Sequence, residues 1–237
     1  MPVRWDTVNV DSQPMRVYLG VPEGAPRRAG LLVAQHGPGV DGFIQDAVNR
    51  LFRQGYVAAA PELFHRQPAE IKEGTSRVGL LKDDEIIADM NATLAHMKSL
   101  KDLAVGPIGI VGFCMGGRVS YLMAAANKEI KACTVFYGGN ILKQWGSLPS
   151  PFDRTRDINC PVIGFFGVED TNPSPDDVKQ IAAELTRLGK PHEFHSYNNA
   201  GHAFQNFLDA PRYRERPAHG TWGEMLAFFA QNLRTGP

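Results

Sequence analysis

The chain is poor in the features that mark membranes, nucleic acids and metals. No apolar stretch approaches the length of a membrane span, and the N-terminal run MPVRWDTVNV lacks the apolar core of a signal peptide. A mature cytoplasmic protein with no membrane partner is therefore expected. Lys and Arg together number 25, as do Asp and Glu, so the formal net charge is zero. That balance argues against nucleic acid as a main partner. Cysteine is scarce: the three residues Cys114, Cys133 and Cys160 are odd in number and unpaired in spacing. This suits a reducing compartment better than a disulfide framework. C-x-x-C and H-E-x-x-H are missing, so no metal site is expected. So are G-x-x-x-x-G-K-[ST] and G-x-G-x-x-G, the phosphate-cradling loops. There is no internal repeat and no low-complexity segment.

What is present suits one large domain over residues 1–237, with 43% hydrophobic residues to fill a core. The N-terminal segment reads as extended chain, with Val8, Val10, Met15, Val17 and Leu19 apolar. Short apolar strands are expected at 31–35, 56–60, 108–112, 132–137, 161–167 and 193–197. Helices are expected at 44–54, 83–100, 116–127, 175–188 and 224–233, with Gly55 as a helix stop and Pro175 in a first turn. The polar stretch 65–82 reads as a surface loop. Strands alternating with helices imply an α/β fold, a mainly parallel sheet covered on both faces in three layers. Functional loops of such sheets lie beyond the carboxyl ends of the strands.

One motif stands out against this background. Gly112-Phe113-Cys114-Met115-Gly116-Gly117 has the G-x-S-x-G spacing of a nucleophile elbow, with cysteine in place of serine. Small flanking residues permit the close backbone approach of a tight strand-to-helix turn. The helix N-terminus beneath the thiol favours negative charge. The pattern predicts nucleophilic attack on an acyl carbon.

A nucleophilic thiol needs a base and a group to orient it. Strand 161–167 is followed by Val168-Glu169-Asp170, and strand 193–197 by Asn198-Asn199-Ala200-Gly201-His202. Asp170 is in place to be the acid, although Glu169, Asp176 and Asp177 lie close by. His202 is in place to be the base. Two backbone N–H groups should face the oxyanion: that of Met115, after the nucleophile, and that of Gly37, after the first core strand. Such a site requires no cofactor and no metal.

These residues resemble the dienelactone hydrolase family of α/β-hydrolases. The likeness runs from about Leu31 to the C-terminus. It rests on the 112–117 elbow, Gln54-Gly55-Tyr56 with Pro61-Glu62-Leu63, Tyr137-Gly138, Asp170, and Ala200-Gly201-His202-Ala203-Phe204. It implies the α/β-hydrolase fold and a Cys-Asp-His hydrolase of small esters or lactones acting through a thioacyl-enzyme, with carboxymethylenebutenolidase-type activity in range. It also implies a soluble protein, monomeric or a small homo-oligomer. Two departures are visible. Members that hydrolyse dienelactone carry glutamate after the glutamine of the first core strand, where this chain has His36 after Gln35. They also place an arginine a few residues beyond the catalytic histidine, where this chain reads Gln205-Asn206. His36-Gly37-Pro38-Gly39 is instead similar to the oxyanion loop of lipases and esterases. Arg66 or Arg77 is then the candidate to hold a substrate carboxylate, and His36, Tyr137 and Phe204 are further pocket candidates. The alternatives are a general carboxylesterase that does not act on dienelactone, an acyl transferase, and a non-catalytic thiol or redox binding protein on the same fold.

The remaining motifs have plainer readings. Cys133 and Cys160 read as core residues. His65, His96, His192, His195 and His219 share no ligand spacing and read as surface or packing residues. The run Arg212, Arg214, Glu215 and Arg216 reads as a solvated loop, with a cap attracting anionic substrate as its alternative.

Overall fold

The computed structural model describes residues 3–24, 27–68, 70–71, 77–101 and 103–235. Among these, eight strands form one sheet in the order β1-β2-β4-β3-β5-β6-β7-β8. They are β1 Val3–Val10, β2 Gln13–Gly20, β3 Arg27–Ala34, β4 Val57–Pro61, β5 Ala104–Phe113, β6 Ile130–Phe136, β7 Val162–Gly167 and β8 His192–Tyr197. From β4 onward in that order every pairing is parallel, while β1 with β2 and β2 with β4 are antiparallel.

The N-terminal extended segment is thus a hairpin. It turns at Asp11 and Ser12, both in the left-handed region (φ 49° and 64°). Alternation alone showed the strand character of Met15, Val17 and Leu19, all fully buried, but not the break between two strands.

Five long helices cover the sheet: α1 Gly42–Arg53, α2 Asp83–Lys98, α3 Met115–Ala126, α4 Pro175–Arg187 and α5 Glu215–Asn232. Ile86, Met90, Val119 and Ile181 pack α2, α3 and α4 on one face. Ala47, Val48, Trp222 and Phe229 pack α1 and α5 on the other. The central strands are near-continuous apolar runs because both faces are covered. Asp41 caps α1 by accepting from the Phe43 and Ile44 N–H groups, and Ser174 forms a capping box with Asp177 at α4. Gly55, at φ +91°, follows α1 as expected.

The last helix begins nine residues earlier than its apolar run suggests. Its first turns bury Ala218, Thr221 and Trp222 on one face, and Pro217 sits in the first turn, where no N–H is required.

Register places the functional loops together. Ala34 of β3 pairs with Gly112 of β5, so residues 35–39 emerge beside Cys114. β6, β7 and β8 follow on the other side, and their exits carry Tyr137, Asp170 and His202 to the same edge.

Candidate active site

Cys114 stands between β5 and α3 with φ 58° and ψ −121°, a conformation disfavoured for a side chain with a Cβ. The glycines make that turn feasible. A Cβ on Gly112 would lie 1.9 Å from the Gly116 carbonyl oxygen, and one on Gly116 would lie 2.2 Å from that of Ala34. One on Gly117 would lie 2.7 Å from the Gly138 Cα. The elbow motif is therefore a packing requirement among three pieces of backbone. Cys114 is half-buried, and its N–H donates to the Phe136 carbonyl at 3.0 Å.

His202 Nε2 lies 2.9 Å from Cys114 Sγ, and His202 Nδ1 donates to Asp170 Oδ2 at 2.8 Å. The other Asp170 oxygen accepts from the Asn172 N–H at 2.9 Å. Asp170 is buried. Two of the neighbouring acids are engaged elsewhere: Asp176 with Lys179, Asp177 in the capping box. Backbone bonds clamp the two loops that carry Asp170 and His202, Val168 N–H to the Tyr197 carbonyl (3.0 Å) and Glu169 N–H to that of Ala200 (2.9 Å). Arg214 Nε adds a bond to the Asn199 carbonyl at 3.0 Å.

Burial alone would push the Cys114 thiol up. The neighbouring His202 outweighs it, helped by the Met115 and Gly37 backbone N–H groups directed at the sulfur, and the net shift is downward. His202 is pushed up to about 10. Burial opposes its charge, but the bond to Asp170 and then the bond to Cys114 dominate. Both directions favour a thiolate–imidazolium pair, and two groups this close titrate as a unit. The sign follows: the thiolate persists as pH falls below the ordinary thiol range, and the imidazolium persists until pH rises through about 10. Rates of Cys114 alkylation by iodoacetamide should therefore rise below the usual thiol value and change again near the His202 value. A single titration at the ordinary thiol pKa would contradict this pairing. Cys133 and Cys160 are buried and pushed upward by burial, Cys160 to about 12, which leaves them unreactive.

Gly37 belongs to a tight turn closed by the Gly39 N–H on the His36 carbonyl at 2.9 Å. His36 is buried, with Nε2 2.8 Å from Asp41 Oδ1 and its ring 5.3 Å from that of Phe43. It ties the Gly37 turn to the cap of α1.

Cys114, Met115 and His202 open onto a cavity of about 500 Å³ that His36 and Gly37 also line. Four of the expected pocket residues lie elsewhere. Arg66 is held by Asp89 (2.6 and 2.7 Å) and Asp11 (2.8 Å), outside the cavity. Arg77 stacks on Phe64 at 4.5 Å and lines a separate cavity of about 230 Å³ behind Pro38. Tyr137 and Phe204 are fully buried and form no part of the wall. Tyr137 packs edge-on beneath His202 at 5.3 Å, with Phe204 against it at 5.2 Å, so the two support the imidazole instead. The plain readings of His65 and His96 hold, since both join elements by pairing with Asp89 and Asp6.

The walls come from residues that carry no motif, among them Val78, Trp145, Asn172 and Asp209, together with Asn206 and Arg212. Trp145 is set by Arg118 of α3. That buried guanidinium stacks on the indole at 3.8 Å, pairs with buried Asp83 of α2, and donates to the Asn140 and Lys143 carbonyls at 3.0 and 2.8 Å. The signal for Trp145 was long-range packing, which spacing does not display. Among the described residues, no group of three or more His, Cys, Asp or Glu is arranged to hold a metal ion. Also among them, no helix is long and apolar enough to cross a membrane.

A mainly parallel, helix-covered sheet with its strand-to-helix elbow at the carboxyl edge defines a hydrolase of the α/β-hydrolase fold. A sequence model of the dienelactone hydrolase family matches residues 15–233, and the chain belongs to that family. It is 31% identical over 246 residues, with 98% of each chain covered, to a Synechocystis protein named "Putative carboxymethylenebutenolidase". Among solved structures it is similar to the "Putative Dienelactone Hydrolase" of Klebsiella pneumoniae, with TM-score 0.86, 30% identity, and 97% and 99% of the two chains covered. It shares its fold with a dienelactone hydrolase-like promiscuous phosphotriesterase, P91, from metagenomic libraries, at TM-score 0.82 and 17% identity over 99% and 100% of the chains.

Proposed function

We propose that this protein is a cysteine-nucleophile hydrolase of small esters or lactones, with Cys114, His202 and Asp170 as its catalytic residues. The observation that carries the proposal is the unbroken chain from Asp170 Oδ2 through the His202 ring to Cys114 Sγ, at 2.8 and 2.9 Å. The family relatives support the bond type.

In this mechanism the Cys114 thiolate attacks the carbonyl carbon, and the electron pair of the C=O bond moves to oxygen. The backbone N–H groups of Met115 and Gly37, both lining the cavity beside Cys114, receive that oxyanion. Each such donor typically contributes roughly 3–4 kcal/mol to lowering the barrier. As the tetrahedral species collapses, the C–O bond to the leaving group breaks and His202 gives the alkoxide its proton. Acylation removes the thiolate charge, one of the causes that hold the His202 pKa up. The imidazole is then free to take a proton from water, which attacks the thioester and releases the acid with Cys114 restored. Asp170 keeps Nδ1 protonated and stabilises each imidazolium.

The test is multiple-turnover hydrolysis of p-nitrophenyl butanoate. Release should continue far beyond one equivalent and fall in proportion to Cys114 alkylated beforehand by iodoacetamide. Release that stops at one equivalent, on this ester and on a panel of simple lactones, would instead describe a reactive thiol without turnover.

A further inference from the structure

We infer that the pocket selects an uncharged substrate, one whose second polar group is a neutral oxygen and not a carboxylate. This rests on the hydrolase reading above and specifies the substrate class of the same site.

The first observation is the charge in the cavity. Among the described residues, the ionisable ones lining it beyond the Cys114–His202 pair and His36 are Asp209 and Arg212. Arg212 Nη1 donates to Asp209 Oδ2 at 2.8 Å, so the arginine is already paired with an acid. The two are unequally placed: the Arg212 side chain is 62% exposed and that of Asp209 27%. The cation is the more exposed member of the pair and the anion the more sheltered. A substrate carboxylate entering the cavity must therefore compete with Asp209 for Arg212 while being repelled by Asp209 itself. A surface pair of this kind contributes little to stability, but its sign still biases a charged ligand.

The second observation is the hydrogen-bonding pattern of the carboxamides. Asn206 Oδ1 accepts from the Leu208 N–H at 3.0 Å, and Asn172 Oδ1 accepts from the Asn140 N–H at 3.0 Å. Each oxygen is committed to backbone, which assigns the amino groups as the free ends. Neither amino group has an acceptor among the described hydrogen bonds, and both residues line the cavity. Asn140 lines it too, with its Oδ1 buried and without a donor. These neutral donors match an ester, amide or hydroxyl oxygen. A carboxylate would set its charge against Asp209. Trp145 and Val78 provide the apolar surface for the carbon skeleton.

The experiment compares p-nitrophenyl methyl adipate with p-nitrophenyl hydrogen adipate, which differ by one methyl cap. On the wild-type protein, kcat/KM for the capped ester should exceed that for the acid by about tenfold, as expected for one unfavourable charge contact. Asp209→Asn removes the lining anion and releases Arg212, so the ratio should fall several-fold or invert. Asn206→Leu should erase any preference for methyl adipate over the p-nitrophenyl ester of heptanoic acid. Raising ionic strength on the wild-type protein should narrow the capped-to-acid ratio without any substitution. Equal or faster turnover of the acid by the wild-type protein would overturn the inference while leaving the hydrolase reading intact. If neither adipate turns over, the hydrolase reading is decided separately by the butanoate and lactone test. Charge selection is then read as protection of Cys114 from iodoacetamide, with dimethyl adipate protecting better than monomethyl adipate if the inference holds and no better if it does not.

Discussion

His202→Gln lowers kcat for p-nitrophenyl butanoate hydrolysis by a factor on the order of 10⁴ or more, with little change in KM. Glutamine retains much of the size and a hydrogen-bonding amide, so the loop between Ala200 and Phe204 keeps its packing on Tyr137. What is lost is the ring 2.9 Å from the Cys114 sulfur, which in the proposed mechanism protonates the leaving group and activates water. The pH profile separates this loss from misfolding. With His202 gone, the cause that most strongly holds the Cys114 thiol down disappears while burial still pushes it up. Alkylation by iodoacetamide should then follow a single titration at or above the ordinary thiol value. A variant that kept the low-pH alkylation limb would show that the thiolate owes its stability to something other than this ring.

Arg118→Met is the second large effect, and it acts on stability and on the pocket together. Arg118 and Asp83 are both fully buried, so removing the guanidinium leaves an uncompensated carboxylate in the core. Breaking a buried pair in this way costs about 3–5 kcal/mol. For a chain of this length that is a fall of roughly 10 °C in Tm. The double variant Asp83→Leu with Arg118→Met removes the stranded charge and should regain part of the loss. It cannot restore the bonds to the Asn140 and Lys143 carbonyls or the stack on Trp145. KM should therefore stay raised in the double variant even as Tm recovers. Full recovery of both would mean that the buried pair matters to the core but not to the pocket wall.

The parts of the site that were readable in the sequence share one property: each is local. Cys114 announces itself because three glycines must sit within van der Waals reach of other backbone, so the requirement is written at fixed spacing. Asp170 and His202 follow apolar runs that form strands, and a parallel sheet delivers strand exits to one edge. Gly37 falls there for the same reason. Arg66 was misplaced because its partner is distant. Asp89 lies 23 residues away on α2, and an ion pair across that gap leaves no periodic trace. Tyr137 and Phe204 were assigned to the right neighbourhood but the wrong side of His202, since aromatic residues at strand ends serve wall and support equally well. The wall itself was illegible, with Val78, Trp145, Asn172 and Asp209 contributed by four separate stretches of chain. The early start of α5 and the hairpin of β1 and β2 escaped for a related reason. Their boundaries are set by which residues find burial in the folded chain, as Trp222 and Met15 do, more than by propensity.

The measurement that bears most directly on the central claim is a rapid-quench reaction with p-nitrophenyl butanoate, followed by intact-mass analysis and peptide mapping of the acid-quenched protein. A butanoyl group should appear on Cys114, form and decay at rates consistent with steady-state turnover, and persist longer in Asp170→Asn, where the base is poorly oriented. Sustained turnover with no acyl adduct at Cys114, or with the adduct on another residue, would contradict the assignment of Cys114 as the nucleophile.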